Sequence, residues 1–380
     1  MKKQVCFLIL LLLCLCLTGC EGRNLEEDLL VIVLAVDETE TGNCAVAVKV
    51  PKNASAEASS SQENGSQGGY LILEATGRSF ADAAAMLDVS TPRRLNYSQV
   101  REVVIGSEKA KKPGFISLLR QIDGLPRFRC SAALIVCKEK AVDFAKAQKP
   151  YVGIRLSRYT EATLSNYAGK GYTPSTTLCD GVRDMGSGFQ DPLFILGDVN
   201  PFNEEHPIDS GNSLDNTAGN LPRKSGDSVE MFGAAATSGA CVSGYLSGYE
   251  TALLRLLGGH VEALVIQTGE NQPMHILPIR RAVLSVDISV RPVQLRISIA
   301  CEARYLPGKS PDANAVSARL EKDIIDVIRH MQALECDGLG FGHLAARRFL
   351  TVQAWEALQW KSLYTQAEIE VQVTVRLKES

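Results

Sequence analysis

The chain has 380 residues, a formal net charge of −3, 45% hydrophobic residues and 22% charged residues. That length predicts two or three domains at roughly 100–200 residues each, with apolar material for several cores. The mild charge and the lack of a basic patch argue against a nucleic-acid partner. The one basic block, Glu108-Lys109-Ala110-Lys111-Lys112, reads as a solvated loop.

Lys2 and Lys3 precede residues 5–17, which carry no charge. As a helix that run would span about 20 Å, short of the ~30 Å hydrocarbon core, so it reads as a signal peptide rather than a membrane span. Leu17-Thr18-Gly19-Cys20 follows, small residues ahead of a cysteine. This is the bacterial lipoprotein pattern, in which the Cys20 thiol takes a diacylglyceryl thioether. Two acyl chains suffice for lasting membrane attachment. The mature body is then an exported mass with 38 basic against 43 acidic residues, or −5. Of eleven cysteines, seven lie beyond Cys20, at 44, 130, 137, 179, 241, 301 and 336. Their odd number and wide spacing do not indicate a disulfide framework, and small buried thiols are expected.

Residues 28–37 and 44–50 read as strands joined by "ETETGN", and 53–69 as a flexible Ser- and Gly-rich loop. A strand over 70–75 is followed by a helix from Ser79 to about Val89, with Asp82 at the third helical position. Strands over 100–106 and 130–138 then alternate with helices over 115–122, 141–148 and 156–168. Such alternation predicts an α/β or α+β unit. Residues 200–229, rich in Gly, Pro, Asn and Asp, read as a linker. A middle unit starts near Met231 with two short strands, then a helix opened by the capping box of Ser247 and Glu250 and stopped at Gly258-Gly259.

The last hundred residues alternate with period two at 284–290, 293–299 and 369–377, which predicts three half-buried strands. Leu320, Ile324, Val327, Ile328, Met331 and Leu334 form the helical stripe that covers them. A second covering helix is expected over 345–364. On it Trp355 and Trp360 would point about 140° apart, one onto the sheet and one toward a neighbouring unit. The predicted class is α+β: three mixed α/β domains, each a sheet flanked by helices. The boundaries are 20–199, 230–280 and 281–380, with 1–19 as signal.

The run "ECDGLGFGH", 335–343, tests for chemistry. A phosphate loop needs a strand before its glycines, whereas these follow an amphipathic helix and lack the G-x-G-x-x-G spacing. A helix stop with Gly at positive φ and a tight turn is expected instead. Cys336 and His343 are only two candidate metal ligands, and His206, His260, His275 and His330 are scattered. Cys130 and Cys137, on one predicted strand, would lie about 23 Å apart. No G-x-S-x-G occurs, and Gly186-Ser187-Gly188 reads as a turn. Carboxylate clusters such as Glu204-Glu205 and Glu26-Glu27-Asp28 read as solvated. No catalytic, metal or cofactor site is expected.

Several pieces together resemble the Ger(x)C family of spore germination lipoproteins, the C subunit of germinant receptors. They are "LTGC", then Arg23, Glu26, Glu27 and a strand ending at Asp37; "ATGRSFADAAAML", "PRRLNYSQVREVVIG" and "GLPRFRCSAALIVC"; Gly233, Gly244, Leu246 and Glu250; and Asp337, Gly338, Gly340, Phe341, Gly342, Trp355 and Trp360. The chain departs from the family where a tryptophan and an aspartate usually follow the lipidated cysteine; here they are Glu21 and Gly22. The resemblance implies three mixed α/β domains and a non-enzymatic receptor subunit on the outer face of the spore inner membrane. It also implies polytopic A and B subunits as partners. Cys20, for lipid attachment, is the one site residue carried over. Two other readings stay open: a solute-binding lipoprotein of a transporter, which would need two similar lobes around a cleft, and an exported wall enzyme.

Overall fold

A computed structural model of the protein describes residues 27–52, 69–149, 156–202, 213–267, 273–305 and 311–379. The expected signal segment, Cys20, residues 53–68 of the expected loop, Glu204-Glu205 and His206 lie outside these residues.

In chain order, β1 (Asp28–Leu30), β2 (Val33–Glu38), β3 (Cys44–Pro51) and β4 (Tyr70–Gly77) lead into α1 (Phe80–Val89). Next come β5 (Arg94–Asn96), β6 (Glu102–Gly106), α2 (Ser107–Ala110), α3 (Phe115–Asp123) and β7 (Ala133–Cys137). They are followed by α4 (Ala141–Ala147), α5 (Leu156–Lys170), α6 (Leu178–Ser187) and β8 (Leu193–Val199). After β9 (Val229–Ser238), β10 (Cys241–Leu246) and α7 (Gly248–Gly258) come β11 (Leu264–Gln267), β12 (Pro273–Pro278), β13 (Val283–Asp287) and β14 (Gln294–Tyr305). Helix α8 (Ala313–Ala333), three short helices α9 (Phe341–Ala346), α10 (Val352–Ala357) and α11 (Trp360–Thr365), and β15 (Glu368–Glu379) complete the chain.

The fold is mixed α+β, as expected. Its first large sheet has eight strands in the order β10-β9-β8-β7-β6-β2-β3-β4. The central β2, β6, β7 and β8 are parallel, and antiparallel pairs extend both sides. Parallel strands covered on both faces need continuous apolar runs rather than alternation. The centre strands supply them: Leu134, Ile135, Val136 and Cys137 of β7 are all buried, and so is every residue of β6. Helices α1 and α3 line one face, and α4 packs on the other with Phe144 fully buried.

The second large sheet has five strands. β11, β12, β13 and β14 pair antiparallel, while β15 runs parallel to β14 along its whole length, from Gln294–Glu368 to Tyr305–Glu379. A parallel return needs a long crossover, and the four helices from 313 to 365 provide it. Helix α8 buries Val316, Leu320, Ile324, Val327, Ile328 and Met331, the stripe read from the sequence, against this sheet. Residues 230–280 contribute to both sheets: β9 and β10 complete the first, β11 and β12 belong to the second. Helix α7 lies between, its leucines in the same core as Ala234 of β9 and Ile276 of β12.

Three expectations need correction. The strand expected from 130 begins at Ala133, because Ala132 N–H turns back to the Arg129 carbonyl (3.0 Å) and ends the extended run. The thiols are not uniformly buried: Cys44, Cys137, Cys301 and Cys336 are, but Cys130 and Cys179 are exposed and Cys241 is intermediate. The helix expected over 345–364 is three helices. Thr351 caps a fresh start by accepting from Ala354 N–H, and Gln359 at φ 52° turns the chain again before Trp360. That break removes the 140° divergence of the tryptophans. Their ring centroids lie 6.1 Å apart and both rings are buried.

The buried Asp37, at the end of β2, shows how the first sheet fixes its helices. Helix α4 has no side-chain cap of its own. Asp37 instead accepts from Ala141 N–H (2.8 Å) and Val142 N–H (2.9 Å) across the fold. A side chain at Gly106 would run into the Asp37 carboxylate, so the neighbouring strand end must be glycine. Asp37→Ala leaves two buried donors without a partner and is expected to cost about 2–4 kcal/mol. Urea unfolding followed by circular dichroism measures this, and a loss near zero would contradict it.

Candidate functional site

The candidate site grows from the run 335–343, where the second sheet's crossover meets the first sheet. Helix α8 ends in a Schellman arrangement: Glu335 N–H bonds the Gln332 carbonyl (3.0 Å) and Cys336 N–H the Met331 carbonyl (2.9 Å). The left-handed residue of that stop is Glu335, at φ 53°, where a glycine was expected. The glycine with positive φ is Gly340 (75°), which precedes α9.

Asp337 sits inside the turn, 3% exposed. Its carboxylate accepts from Phe341 N–H (2.9 Å), Gly342 N–H (2.6 Å) and Trp360 Nε1–H (3.0 Å). It thus satisfies the start of α9 and fixes the first residue of α11. Gly342 has to be glycine because an added Cβ would stand 2.8 Å from Trp360 Nε1 and closer still to the Phe189 carbonyl. Burial pushes the Asp337 pKa up to about 6, against the pull of those three donors, and the neighbouring Asp191 charge raises it further.

Asp191 joins this turn to the first sheet. It accepts from Asp337 N–H (3.0 Å), from Gly239 N–H in the β9–β10 turn (2.9 Å) and from Lys361 Nζ (3.3 Å). Lys361 also donates to Ser238 Oγ (2.9 Å), and Asp191 N–H donates to the Asp337 carbonyl (3.3 Å). Phe189 packs at a tilt against Trp355 (5.5 Å) and Trp360 against Tyr364 (6.1 Å), while the Tyr364 hydroxyl donates to the Cys336 carbonyl (2.9 Å).

Two cavities flank the turn. One of about 520 Å³ is lined by Phe189, Asp191, Trp355, Trp360, Lys361 and Tyr364 among others. The other, about 300 Å³, carries Asp180, Arg183, Asp184, Arg255, His260 and Arg281. The carboxylates of Asp337 and Asp191 are loaded with donors, so the arrangement is built to hold two surfaces together.

The residues weighed for chemistry do not converge. Cys336 is buried, and burial pushes its thiol well above the ordinary range. His343 packs at a tilt against Phe189 (5.5 Å). His330 Nδ1 pairs with Glu250 (2.6 Å) and His275 lies in β12. His260 has its pKa lowered by burial and by Arg255 and Arg281. Among the described residues, no group of three or more His, Cys, Asp or Glu could hold a metal ion. Ser187 ends α6 ahead of Gly188 at φ 67°, the expected turn. Sequence patterns gave no expectation for Asp191, for β8 or for α6 ahead of Gly186. The capping box at Thr177 and Asp180, now seen as reciprocal hydrogen bonds, was the available signal for α6.

Comparison with known proteins gives this architecture a place. The family profile described as "Spore germination protein N-terminal domain" matches residues 21–196, and that described as "Spore germination B3/ GerAC like, C-terminal" matches 233–380. The chain belongs to the Ger(x)C family of spore germination proteins. One relative is described as "Putative spore germination protein YfkR", from Bacillus subtilis (strain 168). It is 21% identical over 387 residues, covering 100% of this chain and 97% of that protein. The crystal structure of the GerBC protein is similar at a TM-score of 0.49 and 14% identity, over 90% of this chain and 96% of that one. Within this Ger(x)C chain, the motif Asp337–Gly342 with Trp355 and Trp360 is the seam just described.

Asp337→Asn puts an amide where three donors need acceptors, and is expected to cost about 1–3 kcal/mol. The pH dependence has a definite sign. The folded-state pKa is raised above 3.8 to about 6, so the stability tied to the Asp337 proton is full below about pH 4 and lost as pH rises through about 6. The difference in unfolding free energy between wild type and Asp337→Asn should therefore shrink from about pH 4 to about pH 7. Denaturant titrations across that range read it directly, and a widening difference would oppose the assignment.

Proposed function

We propose that this Ger(x)C protein is the lipid-anchored C subunit of a nutrient germinant receptor, held on the outer face of the spore inner membrane by Cys20. In this reading it is non-catalytic and assembles with polytopic A and B subunits to trigger germination. The observation that carries the proposal is the match of both family profiles, which together take in the chain from residue 21 to its last residue apart from 197–232. One further feature supports it. Leu17-Thr18-Gly19-Cys20 has the form of a lipidation site directly ahead of the matched region. No helix among the described residues is long and apolar enough to cross a membrane.

The seam fits an assembly role. Its charges tie one sheet to the other through backbone donors, so the two sheets can present one continuous surface to a partner. The test uses spores that carry a tagged copy. Wild-type protein is expected to incorporate labelled fatty acid, to sediment with the inner membrane, and to co-purify in mild detergent with two polytopic subunits. Cys20→Ser should abolish the label and release the protein from the membrane fraction, and loss of the gene should block germination by particular nutrients. Unchanged membrane retention of Cys20→Ser, or normal germination in every medium, would overturn the proposal.

A further inference from the structure

Two exposed cysteines stand apart from the seam. Cys130 lies in the turn before β7, and Cys179 is the second residue of α6. The backbone joins them: Cys179 N–H donates to the Cys130 carbonyl (3.1 Å), next to Leu178 N–H donating to the Ala132 carbonyl (2.9 Å). A single backbone N–H···O=C bond holds two Cα atoms roughly 5–6.5 Å apart by covalent geometry, inside the ~4.4–6.8 Å that a disulfide spans. The neighbouring Cys130 thiol, followed by burial, pushes the Cys179 pKa up to about 11. Both sulfurs are free thiols open to solvent, whereas Cys44, Cys137, Cys301 and Cys336 are buried.

We propose that Cys130 and Cys179 are a redox-modifiable pair that closes into a reversible disulfide, stapling the start of α6 to the turn before β7. The oxidant is a disulfide, R–S–S–R. One cysteine thiolate attacks it, the oxidant's sulfur–sulfur bond breaks, one thiolate RS⁻ leaves and a mixed disulfide forms. The other cysteine thiolate then attacks the protein-bound sulfur and displaces the second RS⁻. The two cysteines lose two electrons and two protons; the oxidant is reduced to two thiols. The raised Cys179 pKa disfavours its thiolate, so closure is slow unless the oxidant is abundant. The bond would close a loop from 130 to 179 and pin one end of α6. The other end of that helix runs through Gly188 into Phe189, Gln190 and Asp191 of the seam. This inference goes beyond the receptor reading and does not depend on it.

The test uses the full chain, purified in detergent and incubated with excess oxidised glutathione. The reaction is quenched in acid, free thiols are alkylated, and tryptic peptides are analysed by mass spectrometry. The expected product is one linked pair, the peptide that begins at Cys130 and the peptide that contains Cys179. Its mass should be about 2 Da below the sum of the two reduced peptides, and it should vanish on reduction. Cys137 shares the first peptide, so Cys130→Ser decides which sulfur is joined. The linked pair must be absent from both Cys130→Ser and Cys179→Ser, and both variants should melt at the temperature of the reduced wild type. The oxidised wild type should melt higher than the reduced form, with no such shift in either variant. Two separate glutathione adducts without a link, or a link that survives in Cys130→Ser, would overturn the proposal.

Discussion

The Asp337 carboxylate is nearly out of water and still serves three donors. A charge in that position is costly to bury unless its acceptor sites are filled. Here they are filled by the first two N–H groups of α9 and the indole of Trp360. The donors lie 4, 5 and 23 residues further along the chain. One group therefore sets where α9 begins, where α11 begins, and how far apart they stand. The tryptophan pair, the break at Gln359 and the path into β15 all follow. Because Asp337 N–H also bonds Asp191, the same turn fixes the second sheet's crossover against the end of the first sheet.

Helix α7 makes a second tie between the sheets. Its capping-box residue Glu250 binds Ser247 N–H (2.7 Å) and also His330 of α8. Its neighbour Tyr249 donates to Asp323 of the same helix (2.6 Å). The apolar side of α7 enters the core of the second sheet together with residues of β9. The two large sheets are thus linked by a packed helix on one side and a hydrogen-bonded turn on the other. Displacement of one sheet would have to break the part-buried hydrogen bonds of Asp191 at the seam or open the shared core.

Much of this was legible in the sequence where one physical period dominated. β14 faces water on one side only, so Leu295, Ile297 and Ile299 alternate with exposed neighbours, and the stripe on α8 matches a helix covering that sheet. The glycine run was correctly read as a stop and a turn, but its centre, Asp337, was noted only as part of a resemblance. Its role depends on Trp360 and Asp191, one of them 146 residues away, and no local pattern encodes that distance. The same limit explains the tryptophans. Helical spacing set them apart, whereas the tertiary bond from the indole to Asp337 favours a break at Gln359. Cys130 and Cys179 were expected, with the other thiols, to be buried; the backbone bond between them depends on where α6 starts, which periodicity did not reveal.

Three of the buried carboxylates, Asp37, Glu230 and Asp337, share one use. Asp37 caps α4 from a neighbouring strand. Glu230, 2% exposed, collects Gly219 N–H (2.7 Å), Leu221 N–H, Asn200 Nδ2–H (2.7 Å) and Arg223 (2.6 Å), and so fastens the described part of the polar 200–229 stretch to β9. Asp337 orders the crossover. A general base needs a lone pair free to reach a substrate proton. These oxygens spend theirs on backbone and side-chain donors of the chain itself. A buried charge satisfied in this way gains specificity for one arrangement of loops and helix starts. Fixed points of this kind hold the two large sheets of this Ger(x)C chain in one arrangement, because the turn that Asp337 orders is also bonded to Asp191.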